Sequence, residues 1–272
     1  YPLHWGGDNS PQWSNLVPQI TGGLSFGLSG FQFWSQDIGG FLGHTGDAML
    51  VRWMQIGMFI SHCRIHGGGD REVYKFPPDV MRHCRDFIQL RYRLMPYVYG
   101  QAAKCLRLSL PMLRALVIDH QHDPSTWRID DQWLFGDDLL VAPIFDVSDR
   151  RRAYLPAGRW VDWWTRAGVL GGRWIDVHAP IDRIPLWIRE GAVVPLGPVL
   201  PYVDARPTTA IELVLAPFTG DGETVVQVPV HDHEFTVTYR AIAGRHVVDV
   251  GPTPVAVAVI AACGATVELR RG

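Results

Sequence analysis

The apolar pattern of this chain changes character once, near Leu110, and that change limits the possible folds more than any other feature. Up to about Ser109, short apolar runs alternate with amphipathic stretches. Gly30–Trp34 reads as a buried strand ending over Ser35–Gly40, Asp47–Phe59 has helical spacing with an acidic residue at its start, and Ile60–Ile65 reads as a further strand before His66-Gly67-Gly68-Gly69. Asp79–Ser109 places Val80, Phe87, Leu90, Leu94, Tyr97, Val98 and Ala102 near a 3.6-residue period and is predicted as one long helix kinked at Pro96. After Leu110 no helical period returns. Met112–Ile118, Leu139–Phe145, Pro185–Ile188 and Ala192–Leu196 read as short strands between Gly, Pro and Asp turns. Beyond the Pro-rich stretch Pro195–Pro207, strands are predicted at Ala210–Leu215, Thr224–Val230, Phe235–Tyr239, His246–Val250 and Val255–Ile260. The expected organisation is therefore α/β over residues 1–109 followed by all-β modules, β-sandwiches, over 110–200 and 201–272.

Composition narrows the function classes. With 47% hydrophobic and 19% charged residues in 272, the chain should bury a real core rather than remain disordered. A net charge of −2 leaves no broad cationic surface for a phosphate backbone, so nucleic acid is excluded as a partner. Asn9–Gln36 holds no Asp, Glu, Lys or Arg, but Pro11, Pro18, Gly22, Gly23, Gly27 and Gly30 interrupt it, and it is predicted as strand and loop rather than a membrane span. No basic region followed by an apolar run opens the chain, so no signal peptide is expected. The cysteines, Cys63, Cys84, Cys105 and Cys263, form no C-x-x-C pair. Cys84 and Cys105 lie 21 positions apart in the predicted helix, roughly 30 Å at ~1.5 Å per residue and beyond disulfide reach. Reduced thiols and a cytoplasmic location are the expectation.

The richest chemistry lies in Tyr1–Phe41. In W-G-G-D-N, Trp5 to Asn9, a carboxylate stands beside an indole and two glycines, so backbone can approach a ligand while the ring offers an apolar face. An acid shielded by apolar surface has a raised pKa, as a general acid near neutral pH requires, and Asp8 is the candidate; a turn aspartate capping a helix is the alternative. Asp37, in D-I-G-G-F, sits where a buried strand leaves its sheet, the position from which α/β barrels build their sites. On residue chemistry alone, Asp8 and Asp37 are compatible with the acid and nucleophile of a glycosidase. His62 and His66, four apart, would share a face of a helix and could hold a metal, but Ile60 and Ile65 favour a strand. His231-Asp232-His233 reads as a solvated turn, and Trp160, Trp163, Trp164 and Trp174 read either as sandwich core or as a sugar-stacking platform.

The motifs H-W-G-G-D-N (His4–Asn9), G-L-S-G-F-Q-F-W-S-Q-D-I-G-G-F (Gly27–Phe41), R-W (Arg52–Trp53) and R-I-H-G (Arg64–Gly67) occur in this order. R-Y-R-L-M-P-Y-V-Y (Arg91–Tyr99), G-D-D-L-L-V-A-P-I (Gly136–Ile144) and Y-L-P-A-G-R-W (Tyr154–Trp160) follow. Together they resemble glycoside hydrolase family 31, its α-xylosidase branch above all, over nearly the whole chain up to about Pro201. The resemblance implies the C-terminal part of a (β/α)8 TIM barrel followed by two β-sandwich domains. It implies a retaining α-glycosidase acting on terminal α-linked xylose or glucose of an oligosaccharide, with no cofactor and no metal. It assigns Asp8 as general acid/base, Trp5, Phe41 and His66 as the lining of the scissile sugar's subsite, and Asp37 as a polar member of that pocket. In the family the nucleophilic aspartate lies on an earlier barrel strand, absent from this sequence, so Asp37 is not promoted to that role. After R-I-H-G the family continues with a Glu-Pro-Trp-like run, whereas Glu72 here precedes Val73 and Tyr74, which alters the loop that meets the leaving group.

A complete barrel takes about 250 residues, and about 109 precede the β modules. The sequence, beginning at Tyr1, is thus expected to be cut from a longer chain whose N-terminal part is its necessary partner, to be inactive alone and to associate through an open sheet edge. A homo-oligomer of the parent is compatible with this reading; a membrane is not a partner. Two other readings compete, a non-catalytic carbohydrate-binding fragment and a metal-dependent hydrolase that would purify with zinc.

Overall fold

The computed structural model of the protein describes residues 3–272; Tyr1 and Pro2, within the first predicted site segment, lie outside them. The chain divides into two compact units, one of residues up to 88, 102–156 and 172–186, the other of residues 89–101, 157–171 and 187–272.

The first unit opens with β1 (Leu3–Trp5), α1 (Trp13–Leu28), β2 (Phe33–Ile38), α2 (Asp47–Met58) and β3 (His62–Ile65). The strands are parallel in the order β1-β2-β3, with Trp5 opposite Ser35 and Asp37 opposite Arg64. The outer edges of β1 and β3 have no neighbouring strand among the described residues. Because side chains alternate along a strand, register assigns each residue a face. Trp34, Gln36 and Ile38 turn toward the helices: a Cβ on Gly23 of α1 would stand 2.7 Å from the Trp34 ring, one on Gly57 of α2 would stand 2.6 Å from Ile38, and the Trp53 indole N–H donates to Gln36 Oε1. Leu3, Trp5, Phe33, Ser35, Asp37, His62 and Arg64 therefore share the opposite face.

α1 overturns the strand-and-loop reading of Asn9–Gln36 over Trp13–Leu28, while Phe33–Gln36 is strand as expected. Leu16, Gln19, Ile20, Gly23, Leu24 and Gly27 are its buried residues, the i, i+3, i+4, i+7 pattern of one helix face. The glycines that suggested a loop are places where the helix axis comes close to Trp34, Leu113 and Pro111, and Pro18, in the second turn, removes a single N–H from the helix ladder. Gly23→Val is expected to cost about 2–3 kcal/mol by overpacking against Trp34 and Leu113, read as a lower urea midpoint at unchanged m; a midpoint within error of the parent would refute this packing account.

The predicted single helix over Asp79–Ser109 is two helices, α3 (Pro78–Arg93) and α4 (Met95–Leu108). Pro96, the second residue of α4, lacks the N–H that would continue the ladder. The distance reckoned along one helix between Cys84 and Cys105 therefore does not apply; both are buried and neither is in a disulfide.

The following strands are β4 (Leu113–Ala115), β5 (Trp133–Phe135), β6 (Leu139–Val141), β7 (Arg150–Leu155), β8 (Arg159–Asp162), β9 (Gly168–Leu170), β10 (Arg173–His178), β11 (Leu186–Arg189) and β12 (Val193–Leu196). Then come β13 (Ala210–Leu215), β14 (Gly222–Val230), β15 (His233–Ile242), β16 (Arg245–Val250), β17 (Ala256–Ala261) and β18 (Val267–Arg271). In the first unit β4-β5-β6 form an antiparallel meander of wholly buried residues, β7 pairs with β10, and the Trp133 indole donates to the Phe59 carbonyl at 2.9 Å. The strand read at Met112–Ile118 is shorter than predicted, because Leu116–Asp119 makes a helical turn.

In the second unit β8 pairs with β9 and β11. Two further sheets, β12-β13-β17 and β14-β15-β16-β18, turn Val193, Ile211, Leu213, Leu215 and Val257 toward Val228, Val237, Tyr239 and Val248 in one apolar cluster. The Tyr239 hydroxyl, buried beside that cluster, accepts the Phe218 N–H at 3.1 Å and lies 2.8 Å from His246 Nδ1, which satisfies it. Among the described residues no helix is long and apolar enough to cross a membrane.

Candidate active site

Three loops leave the C-terminal ends of β1, β2 and β3, and a few polar side chains tie them into one surface. Asn9 donates to the Gly6 and Gly7 carbonyls at 2.9 Å, closing the first loop on itself, and its own carbonyl accepts the N–H groups of Phe41 and Leu42 from the second. The third loop joins through Gly68 N–H to the Phe41 carbonyl at 2.7 Å. Arg71, 4% exposed, completes the tie by donating to the carbonyls of Gly40 and Gly43, each at 2.7 Å. Burial lowers the Arg71 pKa, yet no carboxylate is needed to hold it, since backbone oxygens accept its protons. The glycines are required by approach: a Cβ on Gly67 would stand 2.9 Å from the Gly40 and Phe41 carbonyl oxygens.

On this platform the predicted residues fall into two contacts and one free carboxylate. Asp37, 4% exposed, accepts from Arg64 through both oxygens, Nε to Oδ1 at 2.5 Å and Nη2 to Oδ2 at 3.3 Å. The same guanidinium lies 5.9 Å from the centre of the Trp5 ring, within cation–π range. Phe41 and His66 meet at 5.3 Å between ring centres, tilted by 49°. Asp8 stands in the loop after β1 and is exposed, with no hydrogen bond or ion pair to its carboxylate among the described residues. The apolar shielding expected of it from sequence is thus not supplied by the neighbouring loops, because Trp5 turns to the face of Arg64. Capping is likewise absent: α1 begins at Trp13 and its N-cap is Gln12.

Arg64 is the residue that sequence reasoning passed over. Its signal was present, since Arg64 and His66 are two apart at a strand end and therefore share a face. Strand geometry also removes the helical metal reading: His62 opens β3 and His66 follows its last residue, which separates them by roughly 13 Å. Among the described residues no three His, Cys, Asp or Glu side chains converge as a metal site would need. Of the tryptophan cluster, Trp160 and Trp163 are buried as core, whereas Trp174 is 43% exposed and covered on one side by Arg152. The altered loop around Glu72 forms a single 3-10 turn over Val73–Lys75, pinned by Lys75 to Asp70 at 2.7 Å, with Tyr74 turned to solvent.

Carboxylates, an arginine and aromatic rings at the C-terminal ends of successive parallel strands have the arrangement from which α/β barrels build their sites. Comparison with known proteins agrees and is more specific. Residues 1–101 match the model of the glycosyl hydrolases family 31 TIM-barrel domain, and residues 109–194 match that of the family's C-terminal domain. An α-xylosidase of Emericella nidulans is 33% identical over 245 residues, 87% of this chain and 31% of that protein. Alpha-glucosidase 2 of Bacillus thermoamyloliquefaciens is 34% identical over 203 residues, 73% of this chain and 26% of that protein. Among solved structures, a family 31 dextranase of Flavobacterium johnsoniae, complexed with isomaltotriose, superposes with a TM-score of 0.83 at 29% identity, covering 89% of this chain and 33% of that one. The chain belongs to glycoside hydrolase family 31, with a partial barrel domain and a C-terminal domain. It spans about a third or less of the length of the curated relatives it matches.

Proposed function

We propose that this chain supplies the acid/base side of a retaining α-glycosidase site that removes terminal α-linked xylose or glucose from oligosaccharides. The observation that carries the reading is the joint placement of the Trp5–Arg64–Asp37 contact at the ends of three parallel strands, and of Asp8 and the Phe41–His66 contact on the loops that leave them. An exposed carboxylate with no internal partner is free to meet a glycosidic oxygen. Asp37 is not: both its oxygens are engaged by Arg64, which suits a residue that shapes the subsite and orients Trp5, and not one that attacks carbon. Trp5, Phe41 and His66 would offer the apolar and polar edges that a pyranose presents.

Hydrolysis with retention needs a second carboxylate about 5–5.5 Å from the first. We assign that nucleophile to polypeptide outside these residues, which also contributes the strands that would flank β1 and β3. In the first step the nucleophile attacks the anomeric carbon while the Asp8 carboxyl gives its proton to the departing oxygen. In the second, the Asp8 carboxylate takes a proton from water as that water displaces the enzyme ester. Residues 1–109 would be the barrel part, with β-sandwich domains over 110–200 and 201–272. Burial pushes the Cys84 thiol up to about 11 and Cys105 in the same direction, so both stay protonated and unreactive; the cytoplasmic setting is proposed from the cysteine spacing alone.

Incubated alone with nitrophenyl α-xyloside or α-glucoside, the 272-residue polypeptide is expected to release nitrophenolate no faster than buffer. Sustained turnover by the purified chain would overturn the assignment of the nucleophile to other polypeptide.

A further inference from the structure

The second unit contains a cavity of about 500 Å³ that the proposed glycosidase site does not use. Its volume lies within the roughly 300–1,000 Å³ of small-molecule sites. One wall is the segment from Tyr92 to Tyr99, with Pro96 between them; the other is built from the 197–208 loop and the β14–β15 turn, His231 and Asp232. Tyr99 is 65% exposed. The helix that carries it is held against β14 so closely that a Cβ on Gly100 would stand 3.2 Å from the Gln227 carbonyl.

The polar groups fix what such a cavity could take. The Thr208 N–H donates to His231 Nε2 at 2.5 Å, which leaves Nδ1 as the ring nitrogen able to donate. Nδ1 lies 3.9 Å from Asp204 Oδ1, too far for a direct hydrogen bond. A hydroxyl can bridge that gap, accepting from Nδ1–H and donating to the carboxylate. The charged side chains on the lining are Asp204 and Asp232, with no Lys or Arg among the described lining residues, which disfavours anions. Arg93, close by in sequence, is paired with Glu212.

We propose that this cavity is a carbohydrate subsite separate from the loops after β1–β3, binding a neutral glycan whose C–H face stacks on Tyr99 and whose hydroxyl bridges His231 and Asp204. It does not depend on the roles given to Asp8 and Asp37, because no residue is shared.

The test is hydrogen–deuterium exchange of the whole polypeptide, with and without maltotriose. At about ten times the dissociation constant, exchange that requires the site to open slows roughly tenfold. Slowing is expected at Thr208 and across the 229–233 turn, and each of Tyr99→Ala and Asp204→Asn should weaken it about fivefold or more in apparent affinity. Asp204 has φ +62°, a conformation asparagine tolerates well, so the second variant keeps the loop. Protection confined to the Trp5 and Phe41 loops, protection unchanged in both variants, or none at either place would each overturn the proposal.

Discussion

Asn in place of Asp8, in a polypeptide that also supplies the remaining barrel strands, is expected to lower kcat/KM for unactivated α-xylosides and α-glucosides by about 100- to 10,000-fold. The exchange keeps the shape of the side chain and removes only its capacity to give and take a proton. Aryl glycosides whose leaving group is stable without protonation should lose far less in the first step. They should then stall at the second, where water still needs a base, and release one equivalent of phenol in a burst. Azide attacks without a base and should restore their turnover, giving the α-glycosyl azide because two inversions retain configuration. Stopped-flow absorbance and product analysis follow both steps. Equal losses on both substrate classes, with no burst and no azide effect, would remove Asp8 from the acid/base role. Exposure of its carboxylate in the present chain fits the demand that a substrate and the nucleophile, rather than neighbouring loops, complete its surroundings.

How much of this was legible in sequence depends on whether a residue's role is local. Asp47–Phe59 was readable from its helical spacing and the acidic residue at its start, although α2 is buried on every side from Met49 to Met58, and β13 at Ala210–Leu215 was readable because turn residues bound it. α1 was hidden by its own packing: the glycines that admit Trp34 and Leu113 are also the residues that mark loops. β7 and β10 were missed because Arg150, Arg152, Arg173 and Asp176 face solvent on that pair and break the apolar runs expected of a strand. The resemblance to family 31 named Trp5, Asp8, Asp37, Phe41 and His66 as candidates, which lie at or just beyond the ends of β1, β2 and β3. It could not show that Arg64 and Asp37 occupy opposed positions in register, since that pairing joins residues 27 apart through a sheet. Nor could it show Arg71, whose partners are backbone carbonyls and leave no trace in side-chain pattern.

Arg52→Ala is expected to be the most destabilising single change in the first unit, at about 3–5 kcal/mol, because it removes the donor that several buried carbonyl oxygens share. The side chain is 2% exposed. Nη2 donates to the Ala179 carbonyl at 2.9 Å and to that of Ser148 at 3.3 Å, and Nη1 donates to the Arg183 carbonyl at 3.0 Å and to Gln55 Oε1 at 3.1 Å. Gln55 in turn donates to the Ile181 carbonyl at 2.7 Å. One helix position thus anchors the 179–183 turn, and alanine would leave several carbonyls without a donor in a place water reaches poorly. Lysine keeps the charge but concentrates its donors at one point, so Arg52→Lys should recover only part of the loss. Burial lowers the Arg52 pKa to about 10, partly offset by Asp146, Asp149 and Asp182. A base whose pKa is depressed on folding is charged in both states below that value, and its linkage to pH enters only as pH rises past it, where the unfolded chain holds the extra proton. The destabilisation measured by urea unfolding should therefore be flat between about pH 6 and about pH 9. A loss under about 1 kcal/mol would show that the 179–183 turn holds without this arginine. A loss that varied steeply across the neutral range would show that some other titrating group carries the effect.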